Sequence, residues 1–439
     1  MPVSGHLNPM TALARRLKSR GNEVVFIGVP DVQPFARAAG LTFVPYCENE
    51  YPAGSIMKLY SPISKLHGLE VARWSIREMS CDLFSAATKH LPQKLAETGV
   101  EALVIDKVHS FLELVPMSLD MPYVQVWNLL HFDLSGATPP CHFSWPYEST
   151  PEARARNIEG VKALGEIFAR FAPLPMAYAE KVGLKIDWSD RGATLSKLAV
   201  ITQTPKEFDF PGISWPAQFH YTGPFHDDEG REPVPFPWEK LTGKPLIYAS
   251  LGTLVNGLDN LYKHILQAVQ PLQDVQVVLS VGHNFDPENL GPVPSNTLVV
   301  RSAAQIQLLK RAALCITHAG LDTTLESLAN GVRMVAIPIG FDQPGVAARI
   351  AHHGTGEFIE IDELTTGRLR GLIEKVLHDP SYRERAEYFR EVISKTRGLD
   401  MAADIVEQAF QNIRRKSPRD LKSPLGLTRV PHALKSTSS

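Results

Sequence analysis

Residues 314–343 constrain the fold of this 439-residue chain more than any other segment. The apolar run 314–317 is typical of a buried parallel strand, and a turn containing Gly320 follows it. A helical pattern then begins near Leu325 and is ended by Gly331. In a strand, turn and helix of this kind, free N–H groups and the positive end of the helix dipole face the space above the strand. The segment therefore predicts a phosphate-binding site in an α/β sheet.

Polar residues at two neighbouring strand ends support a ligand site. His318 lies at the mouth of the turn, where its ring can donate to an anionic oxygen. A second apolar run, 334–338, ends in a turn that carries the polar pair Asp342–Gln343. Open α/β sheets bind ligands in the crevice at such strand ends. The alternative is that Thr323 and Glu326, which have capping-box spacing, only satisfy the start of the helix.

Composition disfavours several classes of protein. A net charge of −2, without a basic patch interleaved with aromatic residues, disfavours nucleic acid as a partner. The four cysteines lie far apart without C-x-x-C spacing, so we predict neither a zinc site nor disulfides, and a cytoplasmic location. We find no leader and no run of about 18 apolar residues. Secretion and membrane spanning are therefore disfavoured, and peripheral membrane contact stays open.

Apolar runs of strand length alternate with helical stretches along most of the chain, which is typical of parallel sheets with crossover helices. The length exceeds what one hydrophobic core usually supports, so we expect two domains. The predicted strands are 24–29, 102–106, 123–127, 246–251, 275–281, 297–300, 314–317 and 334–338. An amphipathic helix is predicted over 401–413.

The start of the chain departs from this pattern. Asn8 and Pro9 predict a helix start, with Pro9 at the first helical position. A doubly wound domain should open with an apolar strand, but almost nothing precedes the loop that contains Gly5 and His6. Each buried N–H or C=O group left unpaired by its absence would cost about 1 to 3 kcal/mol. We expect the first strand to be missing, through a misassigned start codon, a truncated sequence or degeneration.

Five motifs together resemble a known family. They are Gly5-His6-Leu7-Asn8-Pro9, Val104-Ile105-Asp106, Tyr248-Ala249-Ser250-Leu251-Gly252-Thr253, Ala304-Gln305 and the segment 317–343. The chain resembles, over nearly its whole length, the inverting nucleotide-sugar-dependent glycosyltransferases of the GT-B type. The continuation over 344–349 is most similar to bacterial zeaxanthin glucosyltransferase-like members. The resemblance implies two doubly wound Rossmann-like domains that face a central cleft. It also implies transfer of a hexose, with glucose as the first choice, from a UDP-sugar to a hydroxyl of a lipophilic or aromatic small molecule.

The resemblance and the composition together predict five parts of the chain. These are an acceptor-binding α/β domain over 1–221, a proline-rich linker over 222–240, a nucleotide-sugar-binding α/β domain over 241–398, a helix over 399–414 that crosses back to the first domain, and a disordered basic tail over 415–439.

A histidine and an aspartate are the predicted catalytic pair. Sugar transfer needs a base at the acceptor hydroxyl and charge stabilisation at the departing phosphate. His6 precedes a predicted helix, whose dipole disfavours the imidazolium form and keeps a neutral ring available. Asp106 ends a predicted strand, where it can hold the imidazole in one tautomer. The separation of the two residues matches the His–Asp pair of the resembled family. From the residues alone, a capping or surface role for His6 is the simpler interpretation.

The resemblance assigns the remaining polar motif residues to the donor. The predicted contacts are His318, Gly320 and Thr323 to the diphosphate, Glu326 to the ribose, Gln305 to the nucleoside, Asp342 and Gln343 to the sugar, and Ser250 and Thr253 near the phosphates. Ordinary turn chemistry is the alternative for Ser250 and Thr253. No D-x-D motif is present in these segments, so we expect no metal and no cofactor beyond the UDP-sugar. Charge neutralisation is then assigned to His318 and helix dipoles.

Three departures from the family pattern bear on donor binding. The stretch 302–305 lacks the tryptophan that usually stacks on the base. Asp322 replaces a common asparagine, which places a carboxylate near the diphosphate unless it turns away to cap the helix. Arg333 replaces a usual proline.

An aromatic-rich stretch follows the strand 123–127, where the family builds its acceptor pocket. The predicted acceptor contacts are Trp127, His131 and Phe132. Two other functions stay open: a non-catalytic GT-B binding or accessory protein, and a nucleotide-sugar epimerase.

Overall fold

The alternation of strands and helices predicted from the sequence is confirmed in the computed structural model, which describes residues 3–227, 231, 233–283 and 285–416. The strands are β1 Val25–Gly28, β2 Thr42–Pro45, β3 Leu103–Asp106, β4 Tyr123–Trp127, β5 Val200–Thr202, β6 Phe219–Tyr221, β7 Leu246–Ser250, β8 Gln276–Ser280, β9 Thr297–Val300, β10 Ala312–Thr317, β11 Arg333–Ala336 and β12 Gly356–Phe358. All the pairings between them are parallel. All eight predicted strands are present; β2, β5, β6 and β12 were not predicted.

The helices lie between these strands. They are α1 Ser4–Ser19, α2 Gln33–Ala38, α3 Ser55–Tyr60, α4 Leu69–Ser75, α5 Cys81–Thr98, α6 Leu114–Ser118, α7 Pro151–Phe168, α8 Pro173–Lys181, α9 Asp259–Val269, α10 Gln305–Leu309, α11 Leu321–Ala329, α12 Gln343–His352, α13 Thr366–His378, α14 Pro380–Ser394 and α15 Gly398–Lys416. The described residues of the predicted linker, 222–240, contain neither an α-helix nor a strand. Most of the predicted tail, 417–439, lies outside the described residues.

The second half of the chain forms one six-stranded sheet. Its strand order is β12-β11-β10-β7-β8-β9, with the first strand of the series, β7, in the middle. This is the order of a doubly wound sheet. Between β7 and β10 the order in which successive strands are added to the sheet reverses, while the strands stay parallel. The register pairs Ser250 with Thr317 at the carboxyl ends of those two strands. Ligands bind doubly wound sheets at this reversal point, so the fold brings the loops after β7 and β10 to a ligand site.

The first half contains two sheets. Strands β1 and β2 form a pair, and β3-β4-β5-β6 form a separate four-stranded sheet. A cavity of about 2240 Å³ lies between β1 and β3, lined by Phe26 and Ile27 from one strand and Val104 and Ile105 from the other. The cavity also runs into the cleft between the two halves. The break in the sheet is therefore continuous with the candidate site.

Helix α1 begins earlier than the sequence predicts. The expected start at Asn8–Pro9 is wrong, because the N–H groups of His6 and Leu7 already donate to the carbonyl oxygen of Val3, both at 3.0 Å. Pro9 lies inside the helix. His6 consequently sits in the first turn of α1 and not in the loop before it.

Helix α15 packs on the first half of the chain. Arg20, directly after α1, binds the carboxylates of Asp400, Asp404 and Glu407 at 2.6 to 3.2 Å. Buried residues of both helices, including Leu13 and Val406, share one hydrophobic cluster. Helix α15 thereby covers part of α1, the helix that carries His6.

Candidate active site

The predicted catalytic pair is in hydrogen-bond contact. His6 Nδ1 lies 2.9 Å from Asp106 Oδ2, and the side chains are 16% and 11% exposed. The other carboxylate oxygen of Asp106 accepts from the N–H of Val108 at 3.1 Å. With Nδ1–H donating to the carboxylate, the tautomer that carries a lone pair on Nε2 is favoured. The geometry suits a base that is oriented by a carboxylate.

The direction in which the pKa of His6 is shifted differs from the sequence prediction. Burial lowers the pKa of His6, but the Asp106 carboxylate outweighs burial and raises that pKa above its ordinary value. Burial would raise the pKa of Asp106, but His6 outweighs it and lowers that pKa. The helix dipole therefore does not set the direction of this shift, because a charge in hydrogen-bond contact acts more strongly than the end of a helix.

On the opposite wall, two glycines make room for His318. A Cβ at Gly252 would lie 2.6 Å from His318 Nε2, and a Cβ at Gly320 would lie 2.5 Å from the same atom. Gly252 also has a φ of +78°, which favours glycine. Burial lowers the pKa of His318 to about 4, so the ring is neutral at neutral pH. His318 can donate a hydrogen bond to a phosphate, but it does not supply the positive charge that the sequence analysis assigned to it.

The capping-box interpretation of Glu326 is also wrong. Helix α11 begins at Leu321 with Gly320 as its N-cap, and no side chain caps it. Both carboxylate oxygens of Glu326 point elsewhere: Oε1 accepts from Arg231 Nη2 at 2.5 Å, and Oε2 accepts from Gln305 Nε2 at 2.7 Å. Sequence reasoning missed Arg231, because nothing local in the charged linker indicates a contact with a helix so distant in sequence.

Asp322 occupies the first turn of α11, and its Oδ1 accepts from Gln203 Nε2 at 2.8 Å. Burial, followed by the nearby Glu326 carboxylate, raises the pKa of Asp322 to about 8. The side chain is consequently protonated at neutral pH. The repulsion that a carboxylate at this position would exert on a diphosphate is therefore largely removed.

Of the two residues assigned to the sugar, Asp342 links the two halves and Gln343 closes its own turn. Asp342 Oδ2 accepts from the N–H of Leu130 at 2.8 Å, and burial raises the pKa of Asp342. Gln343 Oε1 accepts from the N–H groups of Ile339 and Gly340 at 2.9 and 3.0 Å. The Asp342 contact holds the turn before α12 against the loop after β4, and the Gln343 contacts stabilise the turn itself.

Of the three predicted acceptor residues, only Phe132 lines the cavity. Trp127 is buried, and His131 Nε2 lies 2.6 Å from Asp209 Oδ2 with its side chain fully enclosed. Arg349 binds the other oxygen of Asp209, so His131 belongs to a buried ionic network between the halves. The prediction that Trp127 and His131 contact an acceptor is corrected accordingly, because a strand-end aromatic pattern does not distinguish core from pocket.

Asn128 lines the cavity and was missed by sequence reasoning. It is 4% exposed, and neither its amide nitrogen nor its amide oxygen has a hydrogen-bond partner among the described residues. Its position directly after β4, on the same sheet edge as Asp106, is a signal that sequence analysis could have used.

One cavity brings together most of the predicted site. Its lining includes His6, Asp106, Phe132, Ser250, Thr253, Gln305, His318, Gly320, Thr323, Glu326, Asp342 and Gln343. Ser4 Oγ lies 3.2 Å from Thr253 Oγ1, which joins the start of α1 to the loop after β7. In the described part of the chain, no group of three or more His, Cys, Asp and Glu side chains is suited to hold a metal ion. None of the described helices has the length and apolar content needed to cross a membrane.

Comparison with known sequences gives a consistent family. Residues 207–405 match the family described as UDP-glucoronosyl and UDP-glucosyl transferase. The uncharacterized UDP-glucosyltransferase YojK of Bacillus subtilis (strain 168) is 31% identical over 417 residues, which cover 93% of this chain and 96% of that protein. Zeaxanthin glucosyltransferase of Pantoea ananas is 27% identical over 411 residues, covering 93% and 94% of the two chains.

Solved structures share the fold. The glycotransferase of kitacinnamycin superposes with a TM-score of 0.68 at 24% identity, covering 93% of this chain and 96% of that one. The spinosyn rhamnosyltransferase SpnG complexed with thymidine diphosphate gives a TM-score of 0.61 at 16% identity, with 93% and 97% covered. These likenesses identify the architecture as GT-B, with two Rossmann-like halves.

Proposed function

Because this chain belongs to the UDP-glucoronosyl and UDP-glucosyl transferase family, and is therefore a glycosyltransferase, we propose that it transfers glucose from UDP-glucose to a lipophilic or aromatic alcohol. The observation that carries the proposal is the single cavity that holds the His6–Asp106 pair on one wall and His318 with the start of α11 on the other. The proposed base for the acceptor and the proposed binding site for the diphosphate thus face the same cavity.

The acceptor hydroxyl gives its proton to Nε2 of His6. Its oxygen attacks the anomeric carbon of the sugar, forming a new C–O bond while the bond to the diphosphate oxygen breaks and the electron pair leaves with the nucleotide. Asp106 stabilises the imidazolium that forms, as the carboxylate of a catalytic triad does. A single displacement of this kind inverts the anomeric centre.

The departing diphosphate is received at the start of α11. The N–H groups of the first turn and the helix dipole favour an anion there, and neutral His318 adds a hydrogen-bond donor. Gln305 and Glu326 lie further along the same wall, where we assign them to the nucleoside and its ribose. Asp342 and Gln343 are assigned to the sugar, with Asn128 opposite as an unpartnered amide.

The relatives support the choice of donor and acceptor. The Pantoea relative is named for transfer of glucose to zeaxanthin, and SpnG is described as complexed with thymidine diphosphate in one structure and with spinosyn aglycone in another. Glucose, UDP and an apolar hydroxyl compound are our first choices on that basis. We also propose that the reaction proceeds without an added metal ion and in the cytoplasm.

Replacement of His6 by Ala tests the base. We expect kcat for glucosyl transfer to fall by about 10³-fold, because general base catalysis contributes about 10² to 10⁴, with the calorimetric Kd for UDP-glucose unchanged within about 2-fold. Turnover retained in His6→Ala would sink the assignment. Ser19→Ala, at the far end of α1, is the matched control and should transfer like the wild type.

A non-catalytic binding protein is the second candidate, and the break between β1 and β3 beside His6 is the observation that favours it. Saturable UDP-glucose binding without turnover on a broad panel of alcohols would support this candidate. Conversion of the nucleotide sugar to another nucleotide sugar without an acceptor would instead indicate an epimerase.

A further inference from the structure

The donor wall of the cavity contains little positive charge. Lysine and arginine side chains that line the cavity in the described part of the chain are Lys107, Lys197 and Arg231. Lys107 forms an ion pair with the fully buried Glu113. Lys197 precedes β5, at the amino ends of the strands of the four-stranded sheet. His318 is neutral, and Glu326 adds a carboxylate. Arg231 is consequently the described lysine or arginine of the cavity lining that contacts α11, the helix whose start is the predicted diphosphate position.

One contact and one electrostatic effect place Arg231 beside the first two turns of α11. Its Nη2 donates to Glu326 Oε1 at 2.5 Å, and Glu326, which is 4% exposed, lies in the second turn of the helix. Burial raises the pKa of Asp322 in the first turn and Arg231 opposes this effect, so the guanidinium lies within electrostatic range of that turn as well. An arginine from the linker therefore reaches the helix end that faces the cavity.

Chemistry favours arginine in this role. A nucleoside diphosphate gains negative charge on its terminal oxygen as the bond to the sugar breaks, and that charge needs a partner. A guanidinium is planar, stays charged at every physiological pH, and presents five N–H donors in a fork that fits phosphate oxygens. Glu326 accepts one hydrogen bond from this fork and so orients it at the cavity wall.

We propose that Arg231 is a donor-binding residue whose guanidinium pairs with the diphosphate of the nucleotide sugar and stabilises it as it leaves. The inference rests on the proposed function, since it assigns a further residue to the same donor site. It replaces the earlier assignment of charge neutralisation to His318 with one to a residue of the linker.

The test compares a ligand with the diphosphate and one without it. Binding of UDP and of uridine is measured by calorimetry for the wild type and Arg231→Ala, after circular dichroism and the Tm show that both are folded. A hydrogen-bonded charge contributes about 1.5 to 3 kcal/mol, so we expect the Kd for UDP to rise by about 10- to 100-fold. The Kd for uridine should stay within about 2-fold, and Arg231→Lys should lose less UDP affinity than Arg231→Ala.

A surface arginine supplies the matched control. Arg368 is 57% exposed and pairs with Glu363 outside the cavity, so Arg368→Ala should leave both constants unchanged. Equal losses of UDP and uridine affinity in Arg231→Ala would overturn the inference, because Arg231 would then only hold Glu326 in place. An unchanged UDP affinity would overturn it as well.

The two proposals fail in different ways. If the wild type transfers glucose but the ratio of the Kd for UDP to the Kd for uridine is the same in Arg231→Ala as in the wild type, only the role of Arg231 is lost. If UDP binding depends on Arg231 but no glucose is transferred to any acceptor, the role of Arg231 stands and the proposed function is lost. A folded wild type that binds neither UDP nor inorganic pyrophosphate would overturn both.

Discussion

The two halves of the molecule use the same strand, helix and strand design, but only one of them completes its sheet. The second half places β7 at the centre of six hydrogen-bonded strands, whereas the first half is divided between β1 and β3. The donor wall of the cavity is therefore supported by a continuous six-stranded sheet, whereas His6 lies beside the gap between β1 and β3. The comparison teaches that the two predicted functions of the cleft are built on sheets of different continuity.

The largest expected effect is on kcat, and it distinguishes the halves by their proposed chemical roles. Asp106→Asn removes the charge that stabilises protonated His6 and allows the wrong tautomer, so kcat should fall by about 10³- to 10⁴-fold. The donor half is untouched, so the Kd for UDP should stay within about 2-fold. Steady-state kinetics and calorimetry measure the two quantities. A parallel loss of UDP binding would show that the halves do not act independently.

An intermediate effect is expected on the free energy of unfolding, and it compares how tightly the two halves are packed. Leu279 in β8 is fully buried, and Leu279→Ala should lower the free energy of unfolding by about 2 to 5 kcal/mol. Leu103 in β3 already borders the cavity, so Leu103→Ala creates little new enclosed space and should cost about 1 kcal/mol. Urea denaturation followed by fluorescence compares them. Equal losses would indicate that the first half is as tightly packed as the second.

The smallest expected effect concerns pH. Folding raises the pKa of Asp322 from 3.8 to about 8, so the folded chain binds this proton more tightly than the unfolded chain does. The contribution of Asp322 to stability is consequently fully present below about pH 4 and is lost as the pH rises toward 8. Asp322→Asn keeps the acceptor for Gln203 and abolishes this dependence. Between pH 5 and 7 the variant should gain up to about 3 kcal/mol over the wild type, because each pH unit in this range changes the free energy of unfolding by about 1.4 kcal/mol. Thermal unfolding across that range measures the difference, and two parallel pH profiles would contradict it.

Strand positions were the most predictable part of the fold. Strands β4 and β9 have the bounds predicted from the sequence, and β7, β8, β10 and β11 differ by one or two residues at an end. Buried parallel strands are continuous apolar runs, so their signal is local. The three-residue strands β5, β6 and β12 were missed because so short a run differs little from an apolar loop.

The candidate site was predictable as far as its residues lie at the ends of such strands. Ser250 ends β7 and His318 follows β10 in parallel register, so the six-stranded sheet itself brings them to one edge. Asp106 ends β3 in the four-stranded sheet, at the edge that faces the same cavity. His131 also follows a strand, yet the buried Asp209 removes it from the cavity. Whether a residue near a strand end faces a ligand or the core depends on partners that are distant in the sequence.

The sequence by itself determined the α/β class, the positions of eight strands, the family and most residues of the cleft, because apolar periodicity and short motifs act over a few neighbouring residues. Only the tertiary structure decided the division of the first sheet, the start of α1, the raised pKa of His6 and the reach of Arg231 to Glu326. Each of these depends on contacts between segments separated by tens to hundreds of residues. Pairing at that range is set by how whole elements pack, and no local pattern encodes it.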